Sequence, residues 1–378
     1  MSLRCLDSYQ AIPADDWDRL VPPDQPFLRH AFLAALEAGG SVGAACGWQP
    51  APVILEGDDG RLLAAMPGWL KTHSRGEYVF DQGWAEAAWR AGLDYYPKWL
   101  CAVPFSPVTG PRVLARDADA ASRLLAELPT LPTLADVSGL HVNFTTPEDD
   151  ALFAASEGWL HRQDCQYRWH NAGYAQFSDF TARLTSDRRK KIRQERQKLA
   201  GLDLDFRWVP GGELDDDLLG AVYACYANTY LVRGQRPYLT ADSFRRLCHG
   251  LPDTVQVLCV RRAGCFVAMA LFLQGSETLY GRYWGAIEDI PLLHFETCLY
   301  QGIERAIALG LPRFDAGAQG EHKLVRGFEP VLTSSWHRLR HPGLHGAVGE
   351  FLCRERAAVV AYQRQAEEAC PFKLEGVS

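Results

Sequence analysis

Three apolar segments follow one another with almost no chain between them: Thr254 to Arg261, Cys265 to Leu273 and Thr278 to Trp284. Their turns, Arg262-Ala263-Gly264 and Gly275-Ser276-Glu277, contain glycine, and the gaps between the segments are three and four residues long. Links this short cannot carry a parallel crossover, so the segments must pair as an antiparallel meander. The chain after the meander then has to switch element type. Pro291 stands where a first helical residue belongs, its φ fixed and its N–H absent. Phe295, Leu299, Ile303 and Ile307 recur at fourfold steps and form one apolar stripe. Gly310 and Pro312 end that helix. Arg313-Phe314-Asp315-Ala316 reads as a strand end. Gly317-Ala318-Gln319-Gly320-Glu321-His322-Lys323 follows as a polar loop opening into another helix. A loop serving structure alone seldom needs Gln, Glu, His and Lys so close together.

The first half has a related order. Helices fall between residues 14 and 38, and strands are expected at Pro52–Leu55 and Leu62–Met66 around the Gly57-Asp58-Asp59-Gly60 turn. Further strands are expected at Tyr78–Asp81, Trp99–Val103 and Leu140–Phe144, and helices at Ala85–Leu93, Asp119–Leu128 and Asp149–Gly158. Pro104 to Pro111 is a proline-rich loop. At 378 residues the chain is long enough for about two domains, placed at 1–165 and 166–378. Mixed helices and antiparallel meanders give an α+β reading for each.

Composition excludes some classes. A net charge of -7 argues against a molecule that is one electrostatic trap for nucleic acid. The N-terminus has no uninterrupted apolar run, and no segment approaches a transmembrane span. The 11 cysteines form no CxxC and no framework, which points to reduced thiols and a cytoplasmic location. A metal site would want His and acids at ligand spacing; Glu321-His322 alone is a weak set, and no metal is expected. GxGxxG and P-loop signatures are absent.

One segment departs from the average. Between Phe177 and Leu199 lie Arg183, Arg188, Arg189, Lys190, Lys191, Arg193, Arg196 and Lys198, against Asp179, Asp187 and Glu195. Ser186 is placed to cap this helix, and Leu184, Ile192 and Leu199 give it a thin apolar line. Read as a solvated face, it would carry i,i+4 ion pairs such as Lys191 with Glu195.

Several stretches together resemble a known family. Gly76-Glu77-Tyr78-Val79-Phe80-Asp81, Tyr96-Pro97-Lys98 through Gly110-Pro111, the KKIRQER segment, His294-Phe295-Glu296, and Phe314 through Lys323 are similar to the hallmarks of the bacterial FemAB-like (peptidoglycan biosynthesis/recognition) family. The order of the second half is similar to the GNAT acyltransferase fold. The resemblance therefore implies two tandem GNAT-like domains, the second carrying the site. It implies transfer of an acyl or aminoacyl group to a small-molecule or peptide amine, without a tightly bound cofactor. The donor implied is aminoacyl-tRNA or acyl-CoA. A non-catalytic protein that binds a cell-wall precursor or peptide in the same cleft is the alternative.

Such a transfer needs a base for the amine, donors for the carbonyl oxyanion and a seat for the carrier's phosphates. Glu321 or His322 is the expected base, with His294 as a second candidate, and Lys323 or Arg326 the electrostatic clamp. His294, Thr297 and Gln301 lie three and four residues apart and share one helix face. Asp315, Gln319, Arg326, Arg282, Gln301 and Arg233 are assigned to substrate. Arg282 reads either as an anion anchor or as a partner for Asp315. Thr229-x-x-x-Arg233 and the basic helix are similar to segments of Fem-type ligases, so Arg189, Lys191 and Arg193 are assigned to phosphates of a tRNA or a nucleotide-sugar lipid precursor. The loop Gly285 to Pro291 carries one glycine, a proline and two acids. That departs from the CoA-binding pattern, because Glu288 and Asp289 repel phosphate at a helix start.

Overall fold

In a computed structural model, which describes residues 1–317 and 320–373, the chain divides into two units. The first comprises residues 1–165 and 332–361, the second 166–331 and 362–378. The second unit therefore does not take in all of 166–378. Ser334 to Leu339 of the strand Glu329–Leu339 pair with Gly139–Thr145. Leu344, Val348 and Leu352 of the helix Pro342–Glu368 pack on Trp84, Ala88 and Tyr95. Both contacts bury apolar surface that the first unit cannot cover from its own N-terminal residues, which is why this return segment belongs there.

In the first unit, Trp48–Pro50, Gly68–Lys71, Lys98–Cys101 and Gly139–Thr145 lie side by side with the return strand. Lys98–Cys101 and Gly139–Thr145 run parallel; the other pairs are antiparallel. A smaller sheet joins Ser2–Cys5, Val53–Glu56, Leu62–Met66 and Leu114–Ala115. The strand expected at Tyr78–Asp81 does not form. Tyr78 has φ 59°, and the acids on either side of it, Glu77 and Asp81, turn onto the buried Lys98 ammonium. In an extended strand these acids, four residues apart, would share a face but stand about 13 Å from each other, too far for both to meet one cation.

In the second unit the meander forms as its short turns require: Leu204–Pro210, Val255–Arg262, Cys265–Gln274 and Thr278–Ala286, all antiparallel. Arg313–Asp315 adds in parallel, through only Thr278↔Arg313, Leu279↔Phe314 and Tyr280↔Asp315. Its other edge pairs with Arg168, Trp169 and His170. After those three pairs the long strand runs on to Ala286 while its parallel neighbour has ended. The chain leaving Asp315 enters the polar loop at this point. Gly302 fixes how closely the preceding helix approaches. A Cβ there would sit 2.3 Å from the Phe314 ring, so only glycine admits this packing. Phe272, Leu299, Ile303, Phe314 and Phe328 form the core beneath the loop.

Candidate functional site

The helix that the apolar stripe predicted is built in three pieces. Leu292 has φ 72°, a left-handed conformation that is costly for a residue with a branched side chain. Leu293–Phe295 is a single helical turn, Glu296–Tyr300 is a π-helical turn, and Gln301–Ala308 is α-helical. The i→i+5 turn adds a residue to the repeat, so positions three and four apart no longer share one face. His294 is exposed, Thr297 is fully buried and Gln301 is half-buried. The common polar face expected of these three is therefore not present. Such turns are frequent at functional sites.

Beneath that turn lies a charged network. Arg326 Nη2 donates to both oxygens of Glu195 at 2.9 Å, its Nε donates to Tyr300 Oη at 2.9 Å, and its Nη1 donates to His322 O at 2.9 Å. Tyr300 Oη donates in turn to Glu195 Oε2 at 2.5 Å. The guanidinium lies 3.6 Å over the Phe295 ring. Arg326, Glu195 and Tyr300 are all buried. The donors of Arg326 are thus turned onto the protein, and the residue acts as a brace for the loop. Glu195 does not pair with Lys191, which is exposed. It lies on the buried line of its helix with Ile192 and Leu199. A lone acid three and four residues from those apolar positions was the signal in the sequence, because a charge on a buried face needs a partner.

A second tier sits beside the first. Arg196 holds Glu296 at 2.9 and 3.1 Å and Glu304 at 2.6 and 3.3 Å, and its guanidinium lies 5.0 Å from the Phe177 ring centroid. Gln301 Nε2 donates to Glu296 Oε1 at 2.9 Å. These groups border a groove of about 770 Å³ whose floor is apolar, with Ile192, Leu199 and Phe206, and whose rim carries Arg189 and Arg193. Arg189 Nη1 also donates to Ala182 O at 3.3 Å. Lys191 does not line the groove, nor do Glu321, His322, Lys323 or His294. Thr185, rather than Ser186, occupies the N-cap position of this helix, Ser186–Ala200.

The polar loop closes over the end of the short parallel strand. Asp315 is buried, accepts the Gly317 N–H at 2.9 Å and lies 3.6 Å from Arg168 Nε. Arg282 lies over the Tyr283 ring, 5.2 Å from its centroid, and within electrostatic reach of Lys323. Lys323 is buried, and its Nζ donates to Gly317 O. Desolvation is the main force that lowers the ammonium to about 8, with Asp315 and the Cys298 thiol opposing and Arg282 assisting. His322 is half-buried, its ring 5.3 Å from Phe295 and 6.3 Å from His294. Desolvation and the neighbouring Lys323 and Arg326 charges hold His322 below the ordinary imidazole range. The same forces, with His322 added, lower His294. Glu321 is exposed and accepts from Tyr362 Oη at 3.0 Å, whose hydroxyl also meets that of Tyr167. Arg233 is exposed and caps its own helix by donating to Thr229 O at 2.9 Å. Gln319 lies outside the described residues. The structure therefore gathers Asp315, Lys323, His322, Arg282 and Arg326 around one loop, and sets Arg189 and Arg193 around a separate groove.

Removing one partner of the buried network has a defined consequence. Arg326→Leu leaves Glu195 uncompensated and lowers the stability of the second unit by about 3 kcal/mol. The double substitution with Glu195→Leu recovers most of that loss, because apolar replacement of a whole buried pair is close to neutral. Denaturant unfolding of the four proteins of the cycle measures both.

A family model described as FemAB-like, peptidoglycan biosynthesis/recognition, matches residues 8–374. Among solved structures, FemX is similar with a TM-score of 0.54 at 10% identity, over 92% of this chain and 100% of that one. The C-terminal domain of a putative lysylphosphatidylglycerol synthetase from Agrobacterium fabrum gives 0.52 at 11% identity, over 89% and 93%. The L-PGS of Bacillus licheniformis gives 0.51 at 10%, over 84% and 95%. No curated protein matches the chain by sequence. At these identities the likeness shows the fold: α+β, two tandem GNAT-like units of mainly antiparallel sheet flanked by helices. No helix among the described residues is long and apolar enough to cross a membrane.

Proposed function

The chain belongs to the FemAB-like family of peptidoglycan biosynthesis/recognition, and from that premise we propose that it is an N-acyltransferase moving an acyl or aminoacyl group to a small-molecule or peptide amine. The observation that carries the reading is the buried Lys323 ammonium at the end of the short parallel strand, held among Asp315, Arg282 and the Gly317 carbonyl. A cation in a desolvated pocket stabilises a developing oxyanion far more than one in water. His322, which burial and its cationic neighbours hold below the usual imidazole range, is proposed to accept the amine's proton as the nucleophile attacks the acyl carbonyl. Glu321, exposed and tied to Tyr362, orients the loop.

For the donor we favour aminoacyl-tRNA over acyl-CoA. A CoA site of GNAT type uses a row of amides at a helix start to hold pyrophosphate. Here that start carries Glu288, paired with Arg262, then Asp289, a left-handed Leu292 and a single turn before the π-helical segment. This leaves few free amides facing one point and puts negative charge beside them. Arg189 and Arg193 at the groove are proposed to take carrier phosphates. Incubation with labelled aminoacyl-tRNA or acyl-CoA and a panel of amines tests the proposal. Label transferred from aminoacyl-tRNA to an amine is the expected outcome. Binding of amines or precursors without product from either donor overturns it in favour of a recognition protein.

A further inference from the structure

The strand Leu204–Pro210 is the outermost of the second unit's meander. It pairs with Val255–Arg262 on one side, through seven consecutive residues and without a register shift. Among the described residues no strand pairs with its other side. The N–H and C=O of every second residue therefore point outward from the sheet. An edge this long and regular is a template for another strand, and proteins usually blunt it with bulges, prolines or charge. Here there is no bulge, and Pro210 stands only at the last position. What remains is charge, and its arrangement is specific.

Asp205 and Arg207 are both exposed and lie two residues apart, so they project from the same face. Neither makes an ion pair with a described residue. On the inner side Asp205 stands opposite Arg261, whose guanidinium donates to Gly264 O at 3.1 Å, and Arg207 stands opposite Cys259. Leu204, Phe206 and Trp208 project from the other face and are half-buried.

Two copies of one edge strand, joined into a continuing sheet by a two-fold axis, run antiparallel with the axis perpendicular to the sheet. Residues that face each other must then project from the same side, so the axis passes through a residue and not between two. Few registers remain. Centring on Asp205 or on Arg207 sets a charge against its own copy, which destabilises a ladder. Centring on Leu204 sets Asp205 against Asp203, and centring on Trp208 sets Arg207 against Val209. Centring on Phe206 sets Asp205 against the partner's Arg207 and Arg207 against the partner's Asp205. The other face then sets Phe206 against its own copy and Leu204 against the partner's Trp208. The paired span is 204–208, and Pro210, which has no N–H to give, falls outside it. An edge of one charge sign would repel its copy; an acid and a base at this spacing select it.

We propose that this edge is a homodimer interface. A second copy of the chain pairs with it antiparallel about a two-fold axis at Phe206, joined by two reciprocal Asp205–Arg207 pairs. No residue of the loop around Lys323 takes part, so the pairing can fail while the transferase reading stands.

Sedimentation velocity on the full chain, over a range of concentrations at low salt, tests it. The wild type should run as a dimer that dissociates on dilution. Asp205→Arg and Arg207→Asp each turn two attractive pairs into two like-charge pairs, and each should weaken association by about 10-fold. Combining the two substitutions restores opposite charges in the same register and should return association to within about threefold of the wild type. Exposed charges are screened, so the gap between the single variants and the wild type should narrow as salt is raised. Hydrogen exchange needs no variant: amides within 204–208 should gain protection as the wild type is concentrated. A monomer at every concentration overturns the proposal. So does a dimer that ignores the single substitutions, one that the combined variant fails to restore, or one that leaves exchange in 204–208 unchanged.

Discussion

Lys98→Met lowers the stability of the first unit by about 3–5 kcal/mol, the loss that follows when one member of a buried ion cluster is removed. Lys98 is fully buried. Its Nζ donates to Glu77 Oε2 at 2.7 Å, to Ser74 Oγ at 3.0 Å and to Asp81 Oδ2. Lys71, also fully buried, lies 3.8 Å from Glu77 Oε1 and donates to Gly47 O at 3.1 Å. Two lysines and two carboxyls are thus held together away from water, and burial lowers Lys71 to about 7. Methionine keeps the length and apolar character of the lysine stem, so the change isolates the charge. After it, Asp81 retains the Tyr95 hydroxyl at 2.7 Å but no cation within contact.

The pH dependence of that loss has a definite sign. In the wild type, burial works to raise Asp81, but Lys98, helped by His141, holds it down to about 2, while burial pushes Glu77 up to about 7 against the pull of both lysines. Removing Lys98 raises both carboxyls in the folded state. A carboxyl whose folded pKa lies above its unfolded value binds more protons when folded, so its contribution to stability falls as pH rises through that window. The deficit of the variant should therefore widen from pH 5 to pH 8. Denaturant unfolding at the two pH values measures it, and hydrogen exchange in Lys98–Cys101 and Gly139–Thr145 localises it. A deficit that shrinks with pH would mean that the cluster is not charged as drawn.

The parts of this fold that the sequence made plain are those governed by local rules. Links of three and four residues forced the meander, and the four-step stripe of Phe295, Leu299, Ile303 and Ile307 placed the helix over Phe314. What local rules could not supply were the consequences of distant partners. Tyr78 to Phe80 carries aromatic and branched residues that favour a strand, yet Lys98 draws the acids on either side into a turn. The strand Gly68–Lys71 was not expected, because its buried lysine reads as a surface residue until Glu77 and Lys98 are seen beside it. Leu204–Pro210 alternates clearly in the structure, but no strand was expected there, because Asp205 and Arg207 break up its apolar pattern. The π-helical turn leaves no trace in a count of apolar spacings, since the stripe survives on either side of it.

The candidate site divides in the same way. Asp315 and the run from Glu321 to Lys323 stood out by composition, because small residues isolate the polar ones. Their depths did not. Neighbouring residues in a short helical segment point to different places, so Glu321 is exposed while Lys323 two positions later is buried. The bracing role of Arg326 depends on Glu195, 131 residues earlier in the chain, and no spacing rule links the two.

Lys323→Met should lower amine acylation by about 100- to 1,000-fold, the usual loss on removing one oxyanion donor from a desolvated site. The fall belongs in kcat and kcat/KM together if the ammonium meets only the developing oxyanion, and in KM alone if it merely binds substrate. Lys323→Arg separates charge from geometry. The guanidinium stays cationic at every accessible pH, but it is broader than the ammonium and cannot reproduce its point contact with the Gly317 carbonyl. Some activity should return, and the pH profile should change shape. In the wild type the working form of Lys323 is protonated, so kcat/KM should fall as pH rises through about 8. The rising limb belongs to His322, which must be neutral and which burial and its cationic neighbours hold below the usual imidazole value. The acceptor amine contributes its own titration equally to both enzymes and divides out of their ratio. That ratio, wild type over Lys323→Arg, should therefore be flat at low pH and decline above about 8. A ratio that instead rises through the same pH would assign Lys323 as the neutral base, and a ratio flat throughout would remove it from the chemistry.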